Sequence, residues 1–171
     1  LNVGVTTAFV ISRSFLQFEI PSNLSRLDDS PQLTLNVRSL SGDNKVFVGS
    51  VSYGTAFASP WSSWTASNAW DSVQTADSAA YIQSSGGYYT TLSVGENTLT
   101  LAANNDLAKY HCLVGGITVS GIKYITIALI NYTYDKEDND SFSSSTALQI
   151  YGSTSNQPTL TLRKPWFVND R

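Results

Sequence analysis

Apolar and polar residues alternate along much of this chain, and the densest apolar stretch runs from Lys123 to Tyr134. On an extended backbone Ile125, Ile127, Leu129 and Asn131 share one face, while Tyr124, Thr126, Ala128, Ile130 and Tyr132 share the other. Both faces are largely apolar, which predicts a strand buried on both sides at the centre of a sheet. Leu148 and Ile150 alternate with Gln149, and Leu160 and Leu162 alternate with Thr159, Thr161 and Arg163. These patterns predict half-buried antiparallel strands.

Upstream, Val3, Val5 and Thr7 suggest a first edge strand. The run Ile11 to Ile20 reads as one strand, with Leu16, Phe18 and Ile20 on one face and Phe15, Gln17 and Glu19 on the other; Pro21 ends it. Leu33, Leu35 and Val37 mark the next strand. Turn residues Ser41 to Asn44 then lead into Lys45 to Tyr53, so these two strands are expected to form a hairpin. Shorter strands follow at Ala79 to Gln83, from Tyr88 through Thr90 and Leu92, and at Thr98 to Leu101. Leu107, Tyr110 and Val114 recur at helical spacing behind the capping residues Asn104 to Asp106, predicting one short helix. About ten short strands and a single helix point to an all-β fold, a two-sheet antiparallel β-sandwich, in one domain over residues 1–171.

Gly54 to Asp77 follows neither period. It carries Phe57, Trp61, Trp64 and Trp70 among small polar residues and reads as a long loop, with a helical turn near Thr65 to Trp70. Long loops inside compact domains are usually functional.

Composition narrows the setting. Charged residues are only 13% of the chain, against about 25% in typical soluble domains. Ser, Thr, Asn and Gln must therefore cover the surface, which points to an extracellular or virion protein. The net charge is −3 and no basic stripe exists, so nothing points to nucleic acid. No apolar run reaches the roughly 18 residues of a membrane span, so no membrane insertion is expected. The single cysteine, Cys112 beside the single histidine His111, precludes an internal disulfide and reads as a small core residue. The chain begins at Leu1 and contains no Met, as expected of a fragment or a processed product.

The order of elements resembles the DNRLRE-type family of jelly-roll domains related to carbohydrate-binding modules. Arg13 to Ile20 looks like its opening strand, and Gln32 to Val37 like its second. The Leu107–Val114 helix followed by Ile125 to Ile130 is similar to its helix and central strand. Ser143 to Tyr151, followed by Pro158 to Leu162, looks like its C-terminal strands. The likeness spans roughly residues 9–163; the Gly54–Asp77 loop and the tail 164–171, with Trp166 and Phe167, lie outside it. It implies non-catalytic attachment, as in polysaccharide-associated and phage structural proteins.

The chemistry-bearing residues carry competing readings. Trp61, Trp64 and Trp70, with Tyr53, Tyr88 and Tyr89 on nearby turns, suit a saccharide platform, because flat C–H faces of sugars stack on such rings. The same rings suit a protein interface, or simply cap the end of the core. Asp135, Asp138 and Asp140, with Glu137, offer hard oxygens to calcium, yet the EF-hand spacing is not met and a solvated acidic loop is the commoner explanation. Catalysis has little to stand on: there is no nucleophile elbow and no histidine pair. Carboxylate pairs such as Asp71 with Asp77 lack the known separation that glycoside cleavage requires. Glycosylation-type triplets start at Asn23, Asn131 and Asn139, and Asn131 sits in the predicted central strand.

The expectation is therefore a non-enzymatic carbohydrate-binding or host-recognition module on a phage tail or another extracellular surface. It needs no cofactor, calcium being the one candidate. Its partner is a cell-surface or cell-wall saccharide. The alternative is a purely structural virion component whose partners are other virion proteins.

Overall fold

A computed structural model of the chain describes residues 1–5, 11–22, 24, 31–51, 79–81, 89–101, 117–119, 121–133, 146–152 and 156–162. Twelve strands and no helix lie among these residues. They are β1 (Asn2–Val5), β2 (Ile11–Ser12), β3 (Ser14–Ile20), β4 (Gln32–Ser41), β5 (Lys45–Val51) and β6 (Ala79–Tyr81). The rest are β7 (Thr90–Thr91), β8 (Gly95–Thr100), β9 (Ile117–Val119), β10 (Ile122–Asn131), β11 (Thr146–Ile150) and β12 (Thr159–Thr161). The expected helix at 107–114 falls outside the described residues.

The strands form two antiparallel sheets, one of them curled into a half-barrel. In the first sheet β8 lies along one edge of β4, with Leu33 opposite Leu99 and Val37 opposite Gly95. Along the other edge of β4 lie β12 and β11, in line with each other, pairing Leu33 with Leu160 and Val37 with Ile150. The two C-terminal strands are thus one strand interrupted by residues 151–158, and both use β4 as partner. Beyond β11 come β1 and then β2.

In the second sheet β10 is central. It pairs with β3 on one edge, Ile127 opposite Leu16, and with β5 on the other, Ile127 opposite Ser50. Hairpin partner β9 continues the β5 edge, while β6 and β7 line the far edge of β5.

The inner faces share one apolar core. Leu33, Leu35, Val37, Leu99, Leu148 and Ile150 from the first sheet meet Leu16, Val46, Val48, Ile125, Ile127 and Leu129 from the second. Each such side chain contributes about 1.5–3 kcal/mol on leaving water. Val3 on β1 joins them, ahead of residue 9. The predicted double burial of β10 holds from Ile125 to Asn131: Thr126, Ala128 and Ile130 on its opposite face are buried too, alongside Phe47 on β5.

Three expectations are corrected. The run from Ile11 to Ile20 is not one strand. The chain leaves the first sheet after Ser12 and enters the second at Ser14, turning at Arg13, and Ser14 Oγ donates to Asn2 O at 2.7 Å across the junction. The first strand is not an edge strand, because β1 lies between β11 and β2. Finally, β4 and β5 form no hairpin; they lie in different sheets. Beside the turn β11 holds one edge of β4, and β10 and β7 hold both edges of β5, so the Gly42–Asn44 turn carries the chain across the core instead.

That corner is tied to another crossing. Leu92 N–H donates to Asn44 O at 3.1 Å, and Asn44 Nδ2 donates back to Leu92 O at 2.8 Å. Leu92 begins the passage from β7 to β8, so one asparagine fastens two sheet-to-sheet connections. Asn97 shapes the rest of that passage. Its Oδ1 accepts from Ser93 N–H at 3.0 Å, and its Nδ2 donates to Ser93 O at 2.8 Å and Gly95 O at 2.9 Å. Gly95, at φ +102°, supplies the left-handed backbone that the turn requires.

Candidate functional site

Of the six proposed ligand-binding aromatics, Tyr89 is the one within the described residues. Tyr53, Trp61, Trp64, Trp70 and Tyr88 lie outside them, as do Asp135, Asp138 and Asp140, His111 and Cys112. Among the described residues no group of three or more His, Cys, Asp or Glu gathers as metal ligands would.

Tyr89 sits just ahead of β7, half-buried. Pairing of Thr90 with Val46 and of Thr91 with Lys45 places it where β5 begins, and pairing of Val46 with Asn131 brings the end of β10 to the same place. Tyr132 follows Asn131 directly. The two tyrosine rings stand 4.7 Å apart between centroids, inclined at 39°. This separation lies in the range where offset aromatic pairs attract. Lys45 holds its ammonium 4.9 Å from the Tyr89 centroid, over the ring. An ammonium placed so is drawn to the negative π face, worth about 0.5–1 kcal/mol at a partly open site.

Asp43 completes the corner. Its Oδ2 accepts from Asn131 Nδ2 at 3.2 Å, and its Oδ1 lies 3.4 Å from Lys45 N–H, a long contact. Asn131 is 2% exposed, so its amide lies in a dry environment where each hydrogen bond matters. The corner thus combines two phenol rings, one ammonium and one carboxylate on strand ends rather than on a free loop. Tyr89 already has two neighbours on its ring, so it forms a fixed aromatic edge rather than a bare platform.

The stems of the two candidate loops lie at different ends of the second sheet. The tryptophan-bearing segment leaves β5 at Val51 and rejoins at Ala79, and these two residues pair. Lys45 and Thr91, beside Tyr89, pair at the other end of β5, six residues and about 20 Å away at the rise of a strand. The acidic segment, by contrast, departs from β10 just after Tyr132, at the Tyr89 end. Tyr89 therefore stands beside the end of β10, from which the chain leads on toward the acidic residues, and not beside the stem of the tryptophan segment.

Sequence reading missed Tyr132, Lys45 and Asp43. From sequence Tyr132 reads as part of the central strand, and its place just beyond that strand, beside Tyr89, follows only from the tertiary structure. For Lys45 and Asp43 no local signal exists, because their role follows from the β4–β5 corner crossing between sheets.

Among the described residues no helix is long and apolar enough to cross a membrane. No protein-family model, no curated protein and no solved structure matches the chain.

Proposed function

We propose that the chain is a non-catalytic, jelly-roll-like saccharide-recognition module displayed on a phage tail or another extracellular surface. The Tyr89–Tyr132 pair carries the reading: two half-buried rings fixed at 4.7 Å where three strands end, with Lys45 and Asp43 alongside. Rings held by strands lose little freedom on meeting a ligand, and the adjoining charges supply hydrogen bonds to hydroxyls. The low charge of the chain, 13%, suits a neutral polyhydroxylated partner rather than a polyanion. Repeated copies on one particle turn weak single sites into firm attachment.

The test is a glycan array probed with the wild type, Tyr89→Ala and Trp64→Ala. The expected outcome is a wild-type signal on at least one surface glycan that Tyr89→Ala weakens; Trp64→Ala shows whether the tryptophan segment shares the site. No glycan bound by the wild type discards the reading in favour of a structural virion component. Breakdown of the polymer during incubation would instead reveal an enzyme.

A further inference from the structure

The outward face of the first sheet, remote from the rings just described, carries an ordered set of neutral polar groups. Register places Thr98, Thr34 and Thr159 side by side across β8, β4 and β12. The adjacent outward row is Thr100, Gln32 and Thr161. Neighbouring strands stand about 4.8 Å apart, and outward residues along one strand about 6.8 Å. The flanking threonines Thr98, Thr100, Thr159 and Thr161 are all exposed, so this face is open.

On the other side of Thr34, Asn36 lies opposite Glu96. Tyr151 continues the β11 strand there, its N–H donating to Asn36 O at 3.0 Å. Ile150 points into the core, so alternation turns Tyr151 outward, and its side chain is 39% exposed. One ring thus borders the rows of hydroxyls and amides. Lateral bonds hold parts of the face in place: Thr34 and Thr98 hydroxyls lie 3.4 Å apart, and Ser39 Oγ donates to Gln149 Oε1 at 3.0 Å.

We propose that this face binds a neutral polysaccharide chain, seated against Tyr151 and running over the threonine rows. The ligand class follows from charge. Among its described outward residues the face carries one anion, Glu96, and one cation, Arg38, which balance. A nucleic acid or an anionic membrane requires a cluster of cations, which is absent among the described residues of this face. A protein interface is built around an apolar core rich in aromatic rings, whereas this face offers one ring among hydroxyls. A chain of sugar rings matches both parts: its C–H face stacks on Tyr151, and its hydroxyls exchange hydrogen bonds with Thr, Gln and Asn. The inference takes its ligand class from the function proposed above but names a different site.

Affinity electrophoresis of the folded chain through gels containing a soluble neutral β-glucan, a mannan or a galactan tests it. Variants are Tyr151→Ala, the double change Thr98→Lys with Thr159→Lys, and Tyr89→Ala for comparison. The substituted face positions Tyr151, Thr98 and Thr159 are exposed, and unchanged melting confirms folding. Retardation of the wild type by one of these polymers is expected, with affinity lowered about tenfold or more in Tyr151→Ala, the loss of one stacked ring. The double lysine variant is expected to lose affinity as well. Retardation kept by both face variants but abolished by Tyr89→Ala overturns this site and leaves the general reading intact. Absence of retardation by every neutral polymer, or retardation by DNA or anionic vesicles instead, overturns the site as well.

Discussion

Asn131, the last residue of the central strand, donates from Nδ2 to Asp43 Oδ2 across 3.2 Å, joining the end of β10 to the corner where β4 passes into β5. The bond spans the two sheets' connection and lies partly buried. Replacing Asn131 by Ala removes a buried amide and its bond to the half-buried Asp43 carboxylate, so a loss of about 1.5–3 kcal/mol is expected. Asp43→Asn keeps an acceptor oxygen and costs less. A double-mutant cycle between the two positions, read by urea unfolding, is expected to show coupling of about 0.5–3 kcal/mol. Additive effects would show that the bond contributes nothing of its own.

Two glycines separate steric from torsional cost. A Cβ on Gly4 would stand 2.2 Å from the Thr146 carbonyl oxygen of the paired strand, and backbone cannot move aside cheaply. Gly121, at φ +82° in the β9–β10 turn, has open space around it. Gly4→Ala is expected to separate β1 from β11 and to destabilise by about 1–3 kcal/mol or more. Gly121→Ala pays only the left-handed backbone, about 1–2 kcal/mol. In a thermal melt, where about 2–4 °C corresponds to 1 kcal/mol at this size, Gly4→Ala should melt lower.

Arg38 marks a β-bulge in β4. Ser39 faces Gln149 and Val37 faces Ile150, so Arg38 has no counterpart on β11. The extra residue reverses the alternation: Leu33, Leu35 and Val37 point inward, and beyond the bulge it is Leu40 that packs on the core. Arg38→Ala is expected to change stability by no more than about 0.5 kcal/mol, because the side chain is exposed. Deleting Arg38 removes only the extra residue and leaves Leu40 facing inward opposite Leu148, whereas deleting Asn36 turns Val37 outward and should cost several times more by urea unfolding. Equal effects of the two deletions would contradict a register role.

The core itself discriminates by depth. Ile127 is fully buried in β10 between Leu16 and Ser50 of its neighbours, while Val94 in the β7–β8 passage is 63% exposed. Ile127→Ala is expected to cost about 2–5 kcal/mol, as cavities in packed cores do. Val94→Ala is expected to stay within about 0.5 kcal/mol.

The Tyr89 corner yields a graded series. Tyr89→Phe keeps the ring against Tyr132 and below Lys45, so stability should change little. Tyr89→Ala removes both contacts, and Lys45→Met removes one while keeping the aliphatic stem. The expected order of destabilisation by thermal melt is Ala at Tyr89 first, then Met at Lys45, then Phe at Tyr89, spanning about 0.5–2 kcal/mol. A melting point in Tyr89→Ala equal to that of wild type would show that the ring pair is not held together.

Much of this architecture is local information. Leu33, Leu35 and Val37, and again Leu148 and Ile150, point to the same side because a strand repeats every two residues, whatever it pairs with. The run from Ile125 to Ile130 announces burial on both faces for the same reason. Tyr89 was likewise legible as a candidate, since a tyrosine beside a turn is visible in a single chain; its partners were not.

Partners are a global matter. Turn residues Gly42 to Asn44 serve a hairpin and a crossing between sheets equally well, and occupancy of both edges of β5 by the remote strands β7 and β10 chose the crossing. The break at Arg13 has the same origin, because Ile11 and Ser12 pair with β1 while Ser14 to Ile20 pair with β10. Alternation therefore determined which residues are strand and which way they face. Only the competition of all strands for a limited number of edges decided where each one lies, and with it which side chains meet at Tyr89 and along the threonine rows.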